Sequence, residues 1–268
     1  MPLPAISPVA ARELVHLLIL RELIGLREGS GVTVKGGVNL RLFFGSVRYS
    51  EDMDLDGTAQ ASAAIRNFLK GMFEDREFSR RLKTFGIRGL DPGEGPNKDT
   101  ETTFRYKFAV MVSGGIQYPT KVEVSFRKRH AADRAVIEAP APEILAGYGL
   151  EAFQVRHYAR EAAIRQKLQA LGGRREVQAR DVFDLDVLVP DPPTGALIEF
   201  LAEELQHELL KEAQQRSLTI TYQEYEGQVF EFLGKEAQAR YGGEAAWDEM
   251  RLQVAALIEA LLQRQEEP

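Results

Sequence analysis

Cysteine is absent from the 268 residues. Its absence excludes a disulfide framework, a thiolate nucleophile, Cys-ligated zinc and iron–sulfur clusters, and it fits a reducing cytoplasm. Long apolar runs are missing as well. The most apolar short stretch, Leu14–Leu20, is interrupted by His16 and falls far short of the ~18 residues a bilayer span requires, so no membrane association is expected. The opening Met1-Pro2-Leu3-Pro4-Ala5-Ile6 has no basic region, so it does not read as a secretory signal. Histidine is scarce and scattered. His16, His130, His157 and His207 show neither metal-ligand spacing nor a serine partner, and each is expected to be structural. No internal repeat or low-complexity run is visible.

Charge is abundant but uneven. Residues 1–190 hold 28 Lys/Arg and 24 Asp/Glu, whereas 191–268 hold 6 and 16, giving +4 and −10 within an overall −6. A net acidic chain argues against indiscriminate nucleic-acid binding but leaves room for a local polyanion site on the basic part. The acidic tail suits either a basic protein partner or a solvated helical face.

Residues 10–27 carry apolar side chains at helical spacing (Leu14, Leu17, Leu18, Leu20, Ile24) and stop at Gly29-Ser30-Gly31. Val32-Thr33-Val34 predicts a short strand, and Val38–Phe44 a short helix launched from Gly36-Gly37. In 52–56 acidic and apolar residues alternate strictly, which predicts a strand with its carboxylates on one face. Thr58–Phe73 predicts an amphipathic helix with Ile65, Phe68, Leu69, Met72 and Phe73 as its stripe. Residues 83–90 read as a strand and Asp91–Asp99 as a turn-rich loop. Phe104–Val112 and Ile116–Phe126 form a hairpin around Gly114-Gly115. Pro140 and Pro142 mark a linker. Helices are expected at 157–171, 179–188, 195–214, 223–240 and 244–264, with Trp247 in the core. The expected class is α+β: a mixed-sheet domain over 1–140 and a helical domain over 141–268.

Asp52 and Asp54, two apart on a strand, lie about 7 Å apart at their Cα atoms and share a face. Left bare they raise each other's pKa; a hard divalent cation removes that penalty. The pair alone also fits a solvent-exposed strand face. Gly36-Gly37, between strand and helix, lets backbone N–H groups approach a phosphate, or is a plain turn. In Lys121–Phe126, period two sets Lys121, Glu123 and Ser125 together on one face. Glu123 then completes a three-carboxylate cluster if its strand lies near that of Asp52, and otherwise belongs to a half-exposed edge. Strand, Gly-Gly, helix, Asp-x-Asp strand and a later acid-bearing strand make the order a two-metal nucleotidyl-transfer site requires.

Lys35-Gly36-Gly37-Val38-Asn39-Leu40-Arg41-Leu42 and Arg48-Tyr49-Ser50-Glu51-Asp52-Met53-Asp54-Leu55 resemble the opening signature of the AbiEii/AbiGii family, nucleotidyltransferase toxins with a DNA polymerase β-like fold. Ile164–Leu171 is similar to that family's helical lysine motif, and Arg180-Asp181-Val182-Phe183-Asp184-Leu185 to its Arg-Asp-x-x-Asp-Leu motif. The likeness runs from about Lys35 to Leu188.

The resemblance implies that Asp52, Asp54 and Glu123 ligate Mg2+ or Mn2+, and that Arg48 and Ser50 fall near the nucleotide with Gly36 and Gly37. It further implies that Lys167 approaches the triphosphate and Asp181 is a fourth required acid, the helical domain completing the cleft. Without it, Lys167 reads as a solvated helix residue and Asp181 as a surface acid or N-cap. Asp184 reads as structural. Val38, where the family often has a small hydroxyl residue, and Gln166, where it often has Glu, are departures that bear on nucleotide binding. The implied reaction moves an NMP from an NTP to an acceptor hydroxyl, with a tRNA 3′ end as acceptor, a cognate antitoxin as partner and the cytoplasm as location. The alternatives are transfer to a protein or a small molecule such as an aminoglycoside, or a non-catalytic binding module. Arg127-Lys128-Arg129-His130 reads either as an RNA-backbone grip or as a solvated strand end.

Overall fold

The computed structural model describes residues 6–26 and 31–267. They fall into two units. The first comprises the described residues up to Phe43 with Tyr49–His130 and Ala135–His157; the second comprises Phe44–Arg48, Ala131–Arg134 and Tyr158 onward.

The first unit opens with α1 (Pro8–Gly25), capped by the Ser7 hydroxyl accepting from Ala10 N–H, with Pro8 where a missing N–H costs nothing. Leu14 to Leu20 are all buried, so α1 is covered on every side rather than on one stripe. Its predicted end at Gly29 and Ser30 lies outside the described residues. Then come β1 (Thr33–Lys35), α2 (Gly36–Phe43), β2 (Met53–Asp56), α3 (Ser62–Gly71), α4 (Arg76–Thr84), β3 (Ile87–Asp91), β4 (Pro96–Asp99), β5 (Thr103–Val112), β6 (Gln117–Ser125), β7 (Ala135–Glu138), α5 (Pro142–Gly147) and β8 (Val155–Tyr158).

The strands form one mixed sheet in the order β3-β5-β6-β2-β1-β8-β7. β4 pairs with the Phe104–Tyr106 end of β5, and β3 with its Ala109–Val112 end. The core face carries Val34, Met53, Leu55, Phe104, Tyr106, Val122 and Val124, packed with the apolar residues of α1 and α3. Burying such side chains contributes about 1.5–3 kcal/mol each, offset mainly by chain entropy. On β2 and β6 the period-two alternation leaves Asp54, Asp56, Lys121, Glu123 and Ser125 on the opposite, half-open face.

The hairpin of β5 and β6 matches its sequence pattern. Several boundaries do not. The helix expected over Thr58–Phe73 starts at Ser62, because Thr58 first turns the chain with its hydroxyl accepting from Ala61 N–H. α4 went unpredicted: only Phe78 and Leu82 are buried along a run of charges, too sparse a stripe to read, although Asp75 caps it by accepting from Glu77 and Phe78 N–H. It takes Lys83 and Thr84 from the strand expected over 83–90. The loop expected over Asp91–Asp99 contains edge strand β4. Gly36 and Gly37 are the first turn of α2 rather than a lead-in to it.

The second unit contains α6 (Arg160–Gly173), α7 (Ala179–Leu188), α8 (Gly195–Glu204), α9 (His207–Thr219), α10 (Tyr222–Gln228), α11 (Lys235–Tyr241) and α12 (Glu244–Glu266). α12 packs on α7, α8, α9 and α10, and α6 packs on α7 and α9. α6 and α9 approach so closely at Gly172 that a Cβ there would stand 2.4 Å from the Leu209 carbonyl oxygen. Trp247 is fully buried, stacked on Tyr225 at 4.5 Å and donating Nε1–H to the Ile220 carbonyl, as expected of a core residue. The helix expected over 157–171 starts at Arg160 because Val155–Tyr158 is drawn into the sheet beside β1, through Val34 and His157. The run 195–214 is two helices broken at the extended pair Leu205-Gln206, and 223–240 is interrupted by a short 3-10 turn, Phe230–Phe232. Among the described residues no helix is long and apolar enough to cross a membrane.

Candidate active site

The acidic cluster is assembled by strand register. β2 runs parallel to β6 with Asp54 directly beside Glu123, and antiparallel to β1 with Asp54 opposite Lys35. β5 sets Arg105 opposite Glu123. Neighbouring strands stand roughly 4.8 Å apart, so Lys35, Asp54, Glu123 and Arg105 form one row across four strands. Asp52 stands one residue ahead of β2 and joins the same face through Lys121, whose Nζ lies 2.7 Å from Asp52 Oδ2. Asp54 and Glu123, from distant parts of the chain, therefore meet, the first of the two alternatives the sequence left open.

Burial pushes the Asp54 carboxyl above its ordinary pKa; Lys121 and Lys35 pull it down, and Asp52 and Glu123 push it up again. Other carboxylates on the face lean on cations of the same chain. Arg105 Nε donates to Glu123 Oε2 at 2.5 Å, and Lys35 Nζ to Asp56 Oδ1 at 2.5 Å. Consequently, among the described residues no three Asp, Glu or His side chains stand as a ready-made metal cage. The donor set nonetheless fits a hard divalent cation. Asp54 and Glu123 stand side by side with Asp52 on the same face, all oxygen donors, and the desolvation of Asp54 is an electrostatic cost that a cation would remove.

Gly36 has φ +66°, and a Cβ added there would come 3.2 Å from Asp54 Oδ2, so only glycine lets the start of α2 lie this close to the carboxylate. The first N–H groups of a helix have no partner within it and carry its positive dipole end. The next residue, Val38, is buried. Asn39 anchors α2 to β8, its Oδ1 2.9 Å from Nδ1 of His157, which stacks on Phe43 at 3.6 Å. His157 is thus a structural member of the sheet.

Ser50 donates its hydroxyl to the Asp52 carbonyl at 2.8 Å and shapes the turn that presents the acid. A second support escaped sequence reasoning, because its partners are 104 residues apart. Thr120 donates its hydroxyl to the Glu51 carbonyl at 2.7 Å, so the 2.8 Å contact from His16 Nε2 must have the imidazole donating. Burial, the largest influence, and Arg12 lower the His16 pKa to about 4, against an opposing pull from Asp52. A histidine depressed in the folded state binds fewer protons there than when unfolded. Its contribution to stability is therefore full above pH 6.5 and lost as pH falls from 6.5 through about 4. A His16→Gln variant should flatten this part of the acid unfolding curve, and the His16 ring should titrate near pH 4 by NMR; a midpoint above 6 contradicts the buried donor.

In the helical unit, Asp181 and Asp184 are spaced i,i+3 on α7 and face Lys167 of α6. Lys167 Nζ lies 3.0 Å from Asp181 Oδ1 and 2.6 Å from Asp184 Oδ2. Arg48 holds Asp184 from both Nε and Nη2 at 2.9–3.1 Å. Arg174 Nη1 is 3.4 Å from Asp181 Oδ2. Both aspartates are fully buried, and Lys167 and Arg48 are buried too. This overturns the readings of Lys167 as solvated and of Asp181 as a surface acid or N-cap; Gln178 holds the cap position. Asp184 neither caps nor pairs locally; its partners are Arg48 and Lys167. Arg48, expected near the nucleotide, spends its guanidinium on Asp184. Of the basic cluster, Arg127, Lys128 and His130 are exposed, while Arg129 donates to the Thr33 hydroxyl at 3.0 Å.

A family model described as nucleotidyl transferase AbiEii toxin, type IV TA system, matches residues 19–263. No curated protein matches the chain. Among solved structures, MenT4, a nucleotidyltransferase toxin from Mycobacterium tuberculosis H37Rv, is similar with a TM-score of 0.56 at 16% identity, covering 98% of this chain and 100% of that one. JHP933 from Helicobacter pylori is similar with a TM-score of 0.50 at 19% identity, covering 95% and 93%. At those identities the two structures establish the shared fold. The family match takes in the glycine pair, all three sheet carboxylates and the Lys167–Asp184 cluster, and the chain belongs to the AbiEii family of nucleotidyltransferase toxins.

Proposed function

We propose that the protein transfers a nucleoside monophosphate from an NTP to an acceptor hydroxyl, with a tRNA 3′ end as the acceptor. The acceptor hydroxyl gives up its proton to solvent as its oxygen bonds the α-phosphorus, the bond from that phosphorus to the bridging oxygen breaks, and pyrophosphate leaves. The observation that carries this reading is the register of Asp54 beside Glu123, with Asp52 on the same face and the Gly36 backbone against Asp54. Asp52, Asp54 and Glu123 would hold Mg2+ or Mn2+, which supplies charge neutralisation at the reacting phosphate and a more acidic acceptor hydroxyl. Gly36 and Gly37 offer backbone N–H groups to phosphate oxygens. Ser50 and the His16–Thr120 relay hold the chain around Asp52 so that its carboxylate keeps one position. Lys167 and Asp181 enter the proposal through their likeness to the family's lysine and Arg-Asp-x-x-Asp-Leu motifs, and the two lie paired at 3.0 Å. Arg48 acts by holding Asp184. Exposed Arg127 and Lys128 suit an RNA backbone, and a cognate antitoxin is the proposed protein partner in the cytoplasm.

The test is to incubate purified protein with Mg2+, each α-labelled NTP and total RNA. Wild type should label the tRNA fraction, and the Asp52→Ala/Asp54→Ala double variant should not, with circular dichroism unchanged. Label on a protein or an aminoglycoside instead would refute the RNA acceptor. Failure of folded wild type to bind any NTP with Mg2+ would refute the transferase.

A further inference from the structure

We infer that Lys121 and Arg105 serve the transfer site in two successive pairings: they neutralise Asp52 and Glu123 while no divalent ion is bound, and pass to the triphosphate once those carboxylates are engaged. The inference rests on the transferase reading above and adds two phosphate-binding residues to it.

The pairings are direct. Lys121 Nζ lies 2.7 Å from Asp52 Oδ2 and Arg105 Nε 2.5 Å from Glu123 Oε2, and those are two of the three proposed metal ligands. A carboxylate oxygen occupied by an ammonium or guanidinium is a poorer ligand for a divalent ion, and a cation seated there is repelled by one. The four side chains are 21–33% exposed, so the pairs are neither locked nor desolvated enough to make separation prohibitive. Both cations stand on flexible stems at the half-open face of β5 and β6.

The charge balance of that face gives the exchange its direction. Along β1, β2, β5 and β6, with Asp52 just ahead of β2, it carries Lys35, Arg105, Lys107 and Lys121 against Asp52, Asp54, Asp56 and Glu123, four charges of each sign, and Lys98 of β4 stands opposite Arg105. A divalent ion tips the face to positive, and a triphosphate restores it. Lys107 sharpens the point. It is the direct cross-strand partner of Lys121 and is exposed. Like charges opposite one another are unfavourable, and Asp52 offsets that repulsion only while Lys121 leans on it. With Asp52 engaged elsewhere, Lys121 requires another anion, and phosphate oxygens near Asp52 supply it. Arg105 presents a planar fork suited to two phosphate oxygens.

The experiment compares Lys121→Met and Arg105→Met, which keep the apolar stems, with wild type in two titrations. Mn2+ alone is followed by the EPR signal of the free ion, and inorganic tripolyphosphate at saturating Mn2+ by calorimetry; the second probe avoids any dependence on the base. Each variant should bind Mn2+ about tenfold more tightly and tripolyphosphate about tenfold more weakly, each tenfold corresponding to about 1.4 kcal/mol. Lys121→Arg, which keeps the charge, should restore tripolyphosphate binding. Tighter Mn2+ with unchanged tripolyphosphate would reduce the two cations to counter-ions and overturn the exchange. Weaker binding of both probes, with an altered circular dichroism melt, would make them structural and overturn it too. Absence of Mn2+ binding by wild type would remove the metal site itself, and the transferase reading with it.

Discussion

Asp54→Asn is expected to reduce nucleotidyl transfer by at least about a thousandfold, the scale on which one member of a catalytic unit matters, while leaving the metal-free protein harder to unfold at neutral pH. The two effects have one cause. Asp54 is a half-buried carboxylate whose pKa is raised, first by desolvation, which Lys121 and Lys35 only partly compensate, and then by Asp52 and Glu123. The folded state therefore holds its proton more firmly than the unfolded state does. Stability from this group is greatest below the unfolded carboxylate pKa and is lost as pH rises through the folded value, so at neutral pH the Asp54 carboxyl opposes folding. Asparagine removes that opposition, and with it the anionic oxygens a hard cation needs. Thermal unfolding in EDTA should show the variant above wild type at pH 7.5, the gap closing as pH is lowered toward the acid range. Added Mn2+ should raise the wild-type midpoint and leave the variant's where it was. Retained transfer activity, or a variant less stable than wild type in EDTA at neutral pH, would contradict this account of the site.

Asp184→Ala is expected to cost about 3–5 kcal/mol of stability, the usual penalty for removing one member of a buried charge cluster. Asp184 is fully buried and accepts from Arg48 twice over and from Lys167 at 2.6 Å. Without it, two buried cations face each other with Asp181 as the remaining acid nearby. A loss of this size is a large fraction of the 5–15 kcal/mol typical of a folded domain. Burial alone would raise the Asp184 pKa, but Arg48 and Lys167 more than reverse it, so the net shift is downward. The stabilisation is therefore present above the unfolded carboxylate pKa and disappears as pH falls through the depressed folded value. Urea unfolding at pH 7 measures the cost, and the same experiment near pH 3 should show a smaller difference between variant and wild type. An Asp184→Ala/Arg48→Met pair should lose less than the sum of its single variants, because the second change removes a cation the first has stranded. Simple additivity would mean that the two side chains do not act as a pair.

The sequence revealed the family and the faces of the acid-bearing strands more fully than the architecture. Asp54 on one alternating strand and Glu123 on a second are local patterns, and each sits where its period placed it; Asp52 falls one residue ahead of its strand, and the glycine pair opens the helix instead of preceding it. Elements built from sparse or mixed signals were misread. α4 has two buried residues among charges, β4 lies in a run of turn formers, and β8 runs directly into a strongly helical segment. There, pairing between β1 and β7 within the sheet outweighed local propensity, as it often does for short strands.

By itself the sequence determined the family and the faces of β2 and β6 on which Asp54 and Glu123 stand. Those features follow from spacing along one chain, where a period of two or 3.6 assigns direction without knowledge of neighbours. Only the tertiary structure decided which residues meet. Asp54 comes beside Glu123 because β2 and β6 pair in parallel at one register, and a slip of one residue would have turned Glu123 to the core. Tertiary contact also selected Lys121, Arg105 and His16 as partners of the acidic segment, and buried Lys167 between two aspartates. Charge pairing and desolvation depend on distances between residues far apart in the chain, and those distances exist only once the core has closed.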